Sequence, residues 1–205
     1  MYLGRRSLLA LSAAALVGFP RAARGQADEE AKRLIKKRDS ERYEVKTPKS
    51  SIKAGCARVH VAAPTAEVLA VIQDFKNYEK FIKRFEKSKV VGRSGKSTDV
   101  YLQVPILKGA AKIWAIVRFA PVTTERGIQI LRGEMVDGNV RYLDAVWKLK
   151  RIDDENSQLN LELLIVPKLP APGSVVTGEV AYAADTAVMG SRNRAESRYQ
   201  QKKKS

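Results

Sequence analysis

Residues 174–199, SVVTGEVAYAADTAVMGSRNRAESRY, carry one long helical period. Leu169-Pro170-Ala171-Pro172-Gly173 breaks the preceding element, and Ser174 stands where an N-cap is expected. At about 100° per residue, Val176, Val180, Ala183, Ala184, Ala187, Val188 and Ser191 share one arc, while Tyr182, Asp185, Met189, Arg192, Asn193 and Glu196 share the other. The apolar arc is built from small side chains. A helix that buries Ala, Val and Ser either presses closely on its partner or leaves room beside it.

Its partner is written upstream. From Glu86 the apolar period changes from that of a helix to that of strands, over 86–93, 98–106, 110–120, 127–135, 139–152 and 158–168. Turn residues separate these runs at 92–97, Lys108-Gly109, Pro121, Asp137-Gly138-Asn139 and 153–157. Val100, Leu102, Val104 and Ile106 alternate with polar neighbours. So do Ile113, Ala115, Val117 and Phe119, then Leu143, Ala145, Trp147 and Leu149, then Leu159, Leu161, Leu163 and Ile165. Alternation of this kind belongs to an antiparallel sheet with one wet face. Before it, Ile52–Ala62 reads as a strand, Pro64 opens a short helix with Val68, Leu69, Val71 and Ile72, and Phe75–Arg84 forms a second. The expected architecture is α+β: a curved seven-stranded antiparallel sheet wrapped around the C-terminal helix, with two short helices after the first strand. The six later strands form a meander, and the first closes the sheet from its other end.

The chain's ends read differently. Arg5-Arg6 precedes ten uncharged, mostly apolar residues, Leu8–Val17, too few to span a bilayer, which needs about 20. Gly25-Gln26-Ala27 follows, so residues 1–27 read as an export signal cleaved near Ala27, by a twin-arginine or an ordinary secretory route; a non-exported N-terminal helix is the alternative. The expected location is periplasmic or otherwise outside the cytoplasm. Residues 28–50 read as a charged arm, a short exposed helix or mobile segment with only Leu34 and Ile35 to anchor it, ending in the linker 47–51. The domain spans 51–199, and 200–205 is a basic tail.

The net charge is +16. The first 27 residues hold four arginines and no acid, leaving 34 cations, 22 anions and +12 on the remainder. That favours anionic surfaces, and outside the cytoplasm lipid headgroups are the available ones. No zinc-ligand spacing or helix-turn-helix signal supports nucleic acid as a partner.

Val59-His-Val-Ala-Ala-Pro-Thr-Ala-Glu-Val-Leu-Ala-Val-Ile-Gln-Asp-Phe-Lys-Asn-Tyr-Glu-Lys-Phe-Ile82 resembles the opening of the START-like, or helix-grip, superfamily in its coenzyme Q-binding and polyketide cyclase-like branch. Met189-Gly-Ser-Arg-Asn-Arg-Ala-Glu196 resembles that branch's closing segment, and the match covers about Ile52 to Tyr199. The family proline often found where Lys83-Arg84 stand is missing, a departure at the entrance. The resemblance implies a cavity between sheet and long helix for a lipid, quinone or other hydrophobic molecule. Most members bind or carry, and a minority are cyclases or act on aromatic rings.

On the strands and helix, the residues expected to line such a cavity are Val104, Val117, Phe119, Trp147, Leu161, Leu163, Val180, Ala183, Ala184 and Ala187. No catalytic residue, metal ligand or cofactor is assigned. His60 sits on the polar phase of its strand, and Cys56 and His60, four residues apart, are about 13 Å from one another. They cannot form a nucleophilic pair. Asp144 and Glu162 share the phase of Lys148 and Asn160, a solvated face; a buried acid that polarises a substrate carbonyl is the alternative for either. Arg118, Arg132 and Arg141 read as strand arginines that could meet a headgroup. Trp114 and Ile116 leave an apolar spot on the polar side. Three readings stay open: an exported binder or carrier, a cyclase or ring-modifying enzyme using the same cavity, and an envelope interaction module without ligand.

Overall fold

The computed structural model describes residues 21–106, 111–168 and 172–205. The expected signal's Arg5-Arg6 and Leu8–Val17, the Lys108-Gly109 turn and Leu169–Ala171 lie outside these. The elements run α1 (Arg21–Lys37), β1 (Glu41–Thr47), β2 (Ser50–Val61), α2 (Thr65–Ile72), a 3-10 turn at Phe75–Asn77, and α3 (Tyr78–Phe81). Then come β3 (Lys87–Ser94), β4 (Ser97–Ile106), β5 (Ala111–Phe119), β6 (Thr123–Glu125), β7 (Ile128–Gly138), β8 (Tyr142–Arg151), β9 (Ser157–Val166) and α4 (Gly173–Lys204).

The strands form one antiparallel sheet in the order β1-β2-β9-β8-β7-β5-β4-β3, with β6 paired to β7. The first long strand, β2, does join the last, β9, with Ala57 opposite Leu161 and Val59 opposite Leu159. The sheet has nine strands among the described residues, where the sequence reading expected seven. One extra strand is β6, the continuation of β5 after Ala120-Pro121-Val122. Proline has no N–H for the ladder, so the run is interrupted and resumes against the first residues of β7.

The other extra strand lies in the stretch read as an arm. Glu41–Thr47 pairs with β2, and Thr47 stands opposite Ser50, so the supposed linker is a hairpin turn. Tyr43 and Val45 are its only apolar side chains, and Val45 is exposed, which is why the strand's alternation is faint. In α1 the Ala31 and Leu34 side chains are buried, whereas Ile35 is exposed. Glu30 ties the helix to the sheet, accepting from Arg58 at 2.8 Å and from Gln158 at 2.6 Å. Glu41 pairs with Arg33 and with Arg58, the latter at 3.1 Å. Ser40 hydrogen-bonds Asp185 of α4. Residues 29–47 are therefore docked along the β2 edge.

α4 begins one residue earlier than the sequence reading placed it, after Pro172, whose carbonyl accepts from Val175 at 3.0 Å; no side chain caps it. The helix lies along β2 and β9. Its closest approach is at Gly55, where any Cβ would fall inside the backbone of Val180 and Ala181. A second close approach is at Gly190, which abuts the Phe81 carbonyl at the end of α3.

Candidate functional site

The concave face carries the odd positions of β2, β8 and β9 and the even positions of β4, and it faces α4. One end is closed. Val100, Val117, Phe119, Leu131, Trp147, Leu149, Leu159 and Leu161 are all buried there in one apolar core with Val59, Val61, Ala187 and Val188. α2 supplies Val68, Val71 and Ile72 to it, and Phe75 stacks on Phe119 with centroids 4.5 Å apart. Gly133 admits that ring, since a Cβ would stand 2.7 Å from it. Tyr78, fully buried, donates its hydroxyl to the Ile72 carbonyl, and burial pushes its ionisation far above the ordinary tyrosine value.

Toward the β4–β5 hairpin the same face opens. Leu102, Val104, Ile113, Met135, Leu163 and Ile165 point to the concave side and yet are only half-buried, while Leu143 and Ala145 between them are buried. The strand register runs these residues diagonally across the sheet, not along one row: Val104 is opposite Ile113 and Leu102 opposite Ala115, while Met135 is opposite Val117, Leu163 opposite Ala145 and Ile165 opposite Leu143. On α4 the N-terminal half meets the β9 end of this band, since Gly55 is opposite Leu163 and abuts Ala181, and Thr177 Oγ1 donates to Lys53 O at 3.2 Å.

The ten residues expected to line a cavity divide between the two ends. Val117, Phe119, Trp147, Leu161 and Ala187 lie in the closed core, with Ala184. Val180 is buried one turn before Ala184, and Val104, Leu163 and Ala183 are half-buried at the open end. At the rim, beside the turn bearing Ala183, the Arg84 guanidinium lies 5.0 Å over the Tyr182 ring and 3.5 Å from Glu179. Sequence reasoning gave Arg84 no role of its own, although the absent family proline pointed to this position.

The convex face takes the polar groups. Asp144 accepts from Lys49 at 2.8 Å, and Glu162 pairs with Lys148. Arg118 donates two bonds to Asp99, at 2.7 and 2.8 Å, and that hydrogen-bonded guanidinium holds the Asp99 carboxyl below its usual range. Arg132 reaches Glu125 at 3.2 Å, and Arg141 is exposed. His60 Nε2 lies 2.8 Å from Asn156 Oδ1. Cys56 is buried on this face beside Ala54 and Leu164, and burial, with the Glu162 charge adding to it, pushes its thiol up to about 12, which makes it a poor nucleophile. The apolar spot at Trp114 is a cross-strand stack on Tyr101, centroids 6.0 Å apart. All this chemistry is turned away from the concavity.

The sequence over residues 61–188, more than half of the chain, matches the model of the polyketide cyclase/dehydrase and lipid transport family. This chain belongs to that family. Its architecture is that of the START-like helix-grip superfamily. Among solved structures, the family's fold recurs in a STAR-related lipid transfer protein from Xanthomonas axonopodis, at 12% identity and TM-score 0.64, over 76% of this chain and 93% of that one. Human StAR-related lipid transfer protein 5 matches at 10% identity and TM-score 0.62, over 86% and 98% of the two chains. The Zhui aromatase/cyclase from Streptomyces sp. R1128 matches at 16% identity and TM-score 0.54, over 79% and 94%. A search of curated proteins finds no match. The family's name joins cyclases and lipid transport, so membership leaves open whether a bound molecule is held or transformed.

Proposed function

We propose that this chain is an exported carrier of a hydrophobic small molecule, a lipid, quinone or polyketide-like compound, held between the open end of the concave face and the first half of α4. The observation that carries the reading is the run of half-buried inward side chains, Leu102, Val104, Ile113, Met135, Leu163 and Ile165, facing a helix whose own inward residues are small. Covering that surface with an apolar ligand stabilises the complex by roughly 25 cal/mol per Å² removed from water. The names of the similar structures, lipid transfer and aromatase/cyclase, agree on hydrophobic cargo and differ on chemistry. Among the described residues, the inward positions at the open end carry no acid or base, which favours holding over turnover. Export rests on the Arg5-Arg6 and Leu8–Val17 pattern.

Mass spectrometry of an organic extract of the natively purified protein tests the cargo. One hydrophobic compound near one equivalent is expected, displaced by a fluorescent lipid in saturable fashion. An empty extract together with no saturable probe binding would sink the carrier reading. Intact-mass analysis tests export separately, with a chain starting near Asp28 expected from the cell envelope; full-length protein confined to the cytoplasm would overturn it.

A further inference from the structure

The net charge of +16 is distributed unevenly once the chain is folded. The C-terminal tail and α1 are partly neutralised: Lys202 pairs with Glu67, Lys203 with Glu155, Arg33 with Glu41, and Arg192 with Glu196 at 3.0 Å. Lys36 and Lys37 of α1 and Arg194, Arg198 and Lys204 of α4 form no ion pair with a described residue, so what sets residues 76–96 apart is that their cations surround exposed valines. Residues 76–96 hold eight cations and two acids, a net +6, and the ion pairs formed there are Arg84 with Glu179 and Glu86 with Lys112. Lys76, Lys80, Lys87, Lys89, Arg93 and Lys96 are all exposed, and none of them forms an ion pair with a described residue.

The backbone organises part of this charge. β3 is the edge strand beyond β4, and its register slips between Val90 and Gly92, so Val91 is an extra residue. Without the bulge, Val90 and Arg93 would point to opposite faces; with it, both turn to the same one. They join Gln73, Asp74, Phe75, Lys76 and Thr98 around an open groove of about 450 Å³, in which the Asp74 carboxylate accepts from Asn77 Nδ2 at 2.7 Å and two cations stand against one acid. Val90 and Val91 are 45% and 52% exposed, two β-branched apolar side chains bare to water amid lysines. An isolated exposed valine means little, but an adjacent pair on a surface where lysines and an arginine outnumber the acid is the composition of a face that sits at a lipid interface.

We propose that the β3 edge and the Phe75–Asn77 turn form a docking face for an anionic bilayer, in which Val90 and Val91 enter the headgroup layer and Lys76 and Arg93 flank a phosphate. A second polypeptide strand is the less suitable occupant, because a bulged edge studded with Lys87, Lys89 and Arg93 resists adding a strand. The face stands independently of what the concavity holds.

The full chain is sedimented with vesicles of phosphatidylglycerol and phosphatidylcholine, and with phosphatidylcholine alone, at low salt. Neutral vesicles register whatever residues 8–17 contribute. Lys76→Glu with Arg93→Glu is expected to lower the preference for anionic vesicles on the order of ten-fold or more. Lys36→Glu with Lys37→Glu, the same charge change on α1, is expected to lower it less than about two-fold. Val90→Ser with Val91→Ser should weaken the binding that survives about 1 M salt, where charge is screened. Melting curves confirm that each variant is folded. Equal losses from the two charge-reversed pairs, or no preference for anionic vesicles in the parent chain, overturn the proposal. So does vesicle release by inorganic phosphate at constant ionic strength, which would mark the groove as a soluble-anion site.

Discussion

The two ends of the concave face are made from the same strands and the same residue types, and they end in different physical states. Leu161 and Leu163 show it best. They lie two residues apart on β9, on the same face, opposite Trp147 and Ala145. Leu161 is closed in by the core, while Leu163 keeps part of its surface open. The difference arises from what stands across the concavity. At the closed end α2, the Phe75–Asn77 turn and α3 bring Val68, Ile72, Phe75 and Tyr78 into contact, whereas at the other end α4 offers Val180 and Ala183 from the β2 side. The core is closed where the short helices are, and only half-covered where they are not.

The largest expected effect comes from breaking the joint common to both ends. Gly55→Val puts side-chain atoms where the α4 backbone runs and should cost more than about 4 kcal/mol, leaving a chain that does not melt cooperatively. Parental stability in the Gly55→Val variant would mean that α4 is not seated on β2 there. Next comes the leucine pair. Leu161→Ala is expected to lose about 2–5 kcal/mol in denaturant melts, and Leu163→Ala about 1 kcal/mol. Equal losses would erase the distinction between the ends.

Bulky substitutions on the helix sharpen it further. Ala187→Trp overfills the closed core and should cost about 1–3 kcal/mol. Ala183→Trp should change stability by less than about 1 kcal/mol, while fluorescent-lipid affinity falls at least about ten-fold. Were both tryptophans to lower the melting temperature and leave probe affinity alone, the open end would hold no ligand. The smallest effect concerns the convex face. Asp99 ionises below its unfolded value of about 4, so its pairing with Arg118 stabilises the fold fully above that pH and is lost as acid protonates it. Melting temperature should be flat from about pH 7 to 5 and drop below about 4, and Asp99→Asn should make that drop shallower; an identical acid limb in the variant would assign it to other carboxylates.

Most of this architecture is legible in the sequence because burial wrote it there. β8 alternates so cleanly, Leu143 to Leu149, because one face meets the core and the other meets water. α4 reveals its small-residue stripe because Ala184, Ala187 and Val188 are buried in the core. β1 was hidden for the converse reason. An edge strand with one neighbour and a wet outer face needs little apolar weight, so Glu41–Thr47 looks like an arm. The division of the concavity was equally hidden. Whether Leu161 or Leu163 is covered depends on helices some eighty residues earlier in the chain, and alternation within a strand carries no record of them. Arg84 reads as one more surface cation until α4 brings Tyr182 and Glu179 beside it.

The glycine contacts along α4 have a mechanical consequence. The helix is clamped at Gly55 with Ala181, again where Gly190 meets Phe81, and a third time where Glu196 accepts from the Ala62 amide at 2.8 Å. A rod held at three points can neither slide nor tilt to suit a wider guest. Any give is expected from the opposite wall, where β4, β5 and β7 carry half-covered inward side chains. On that expectation the helix is the fixed jaw and the strands the yielding one.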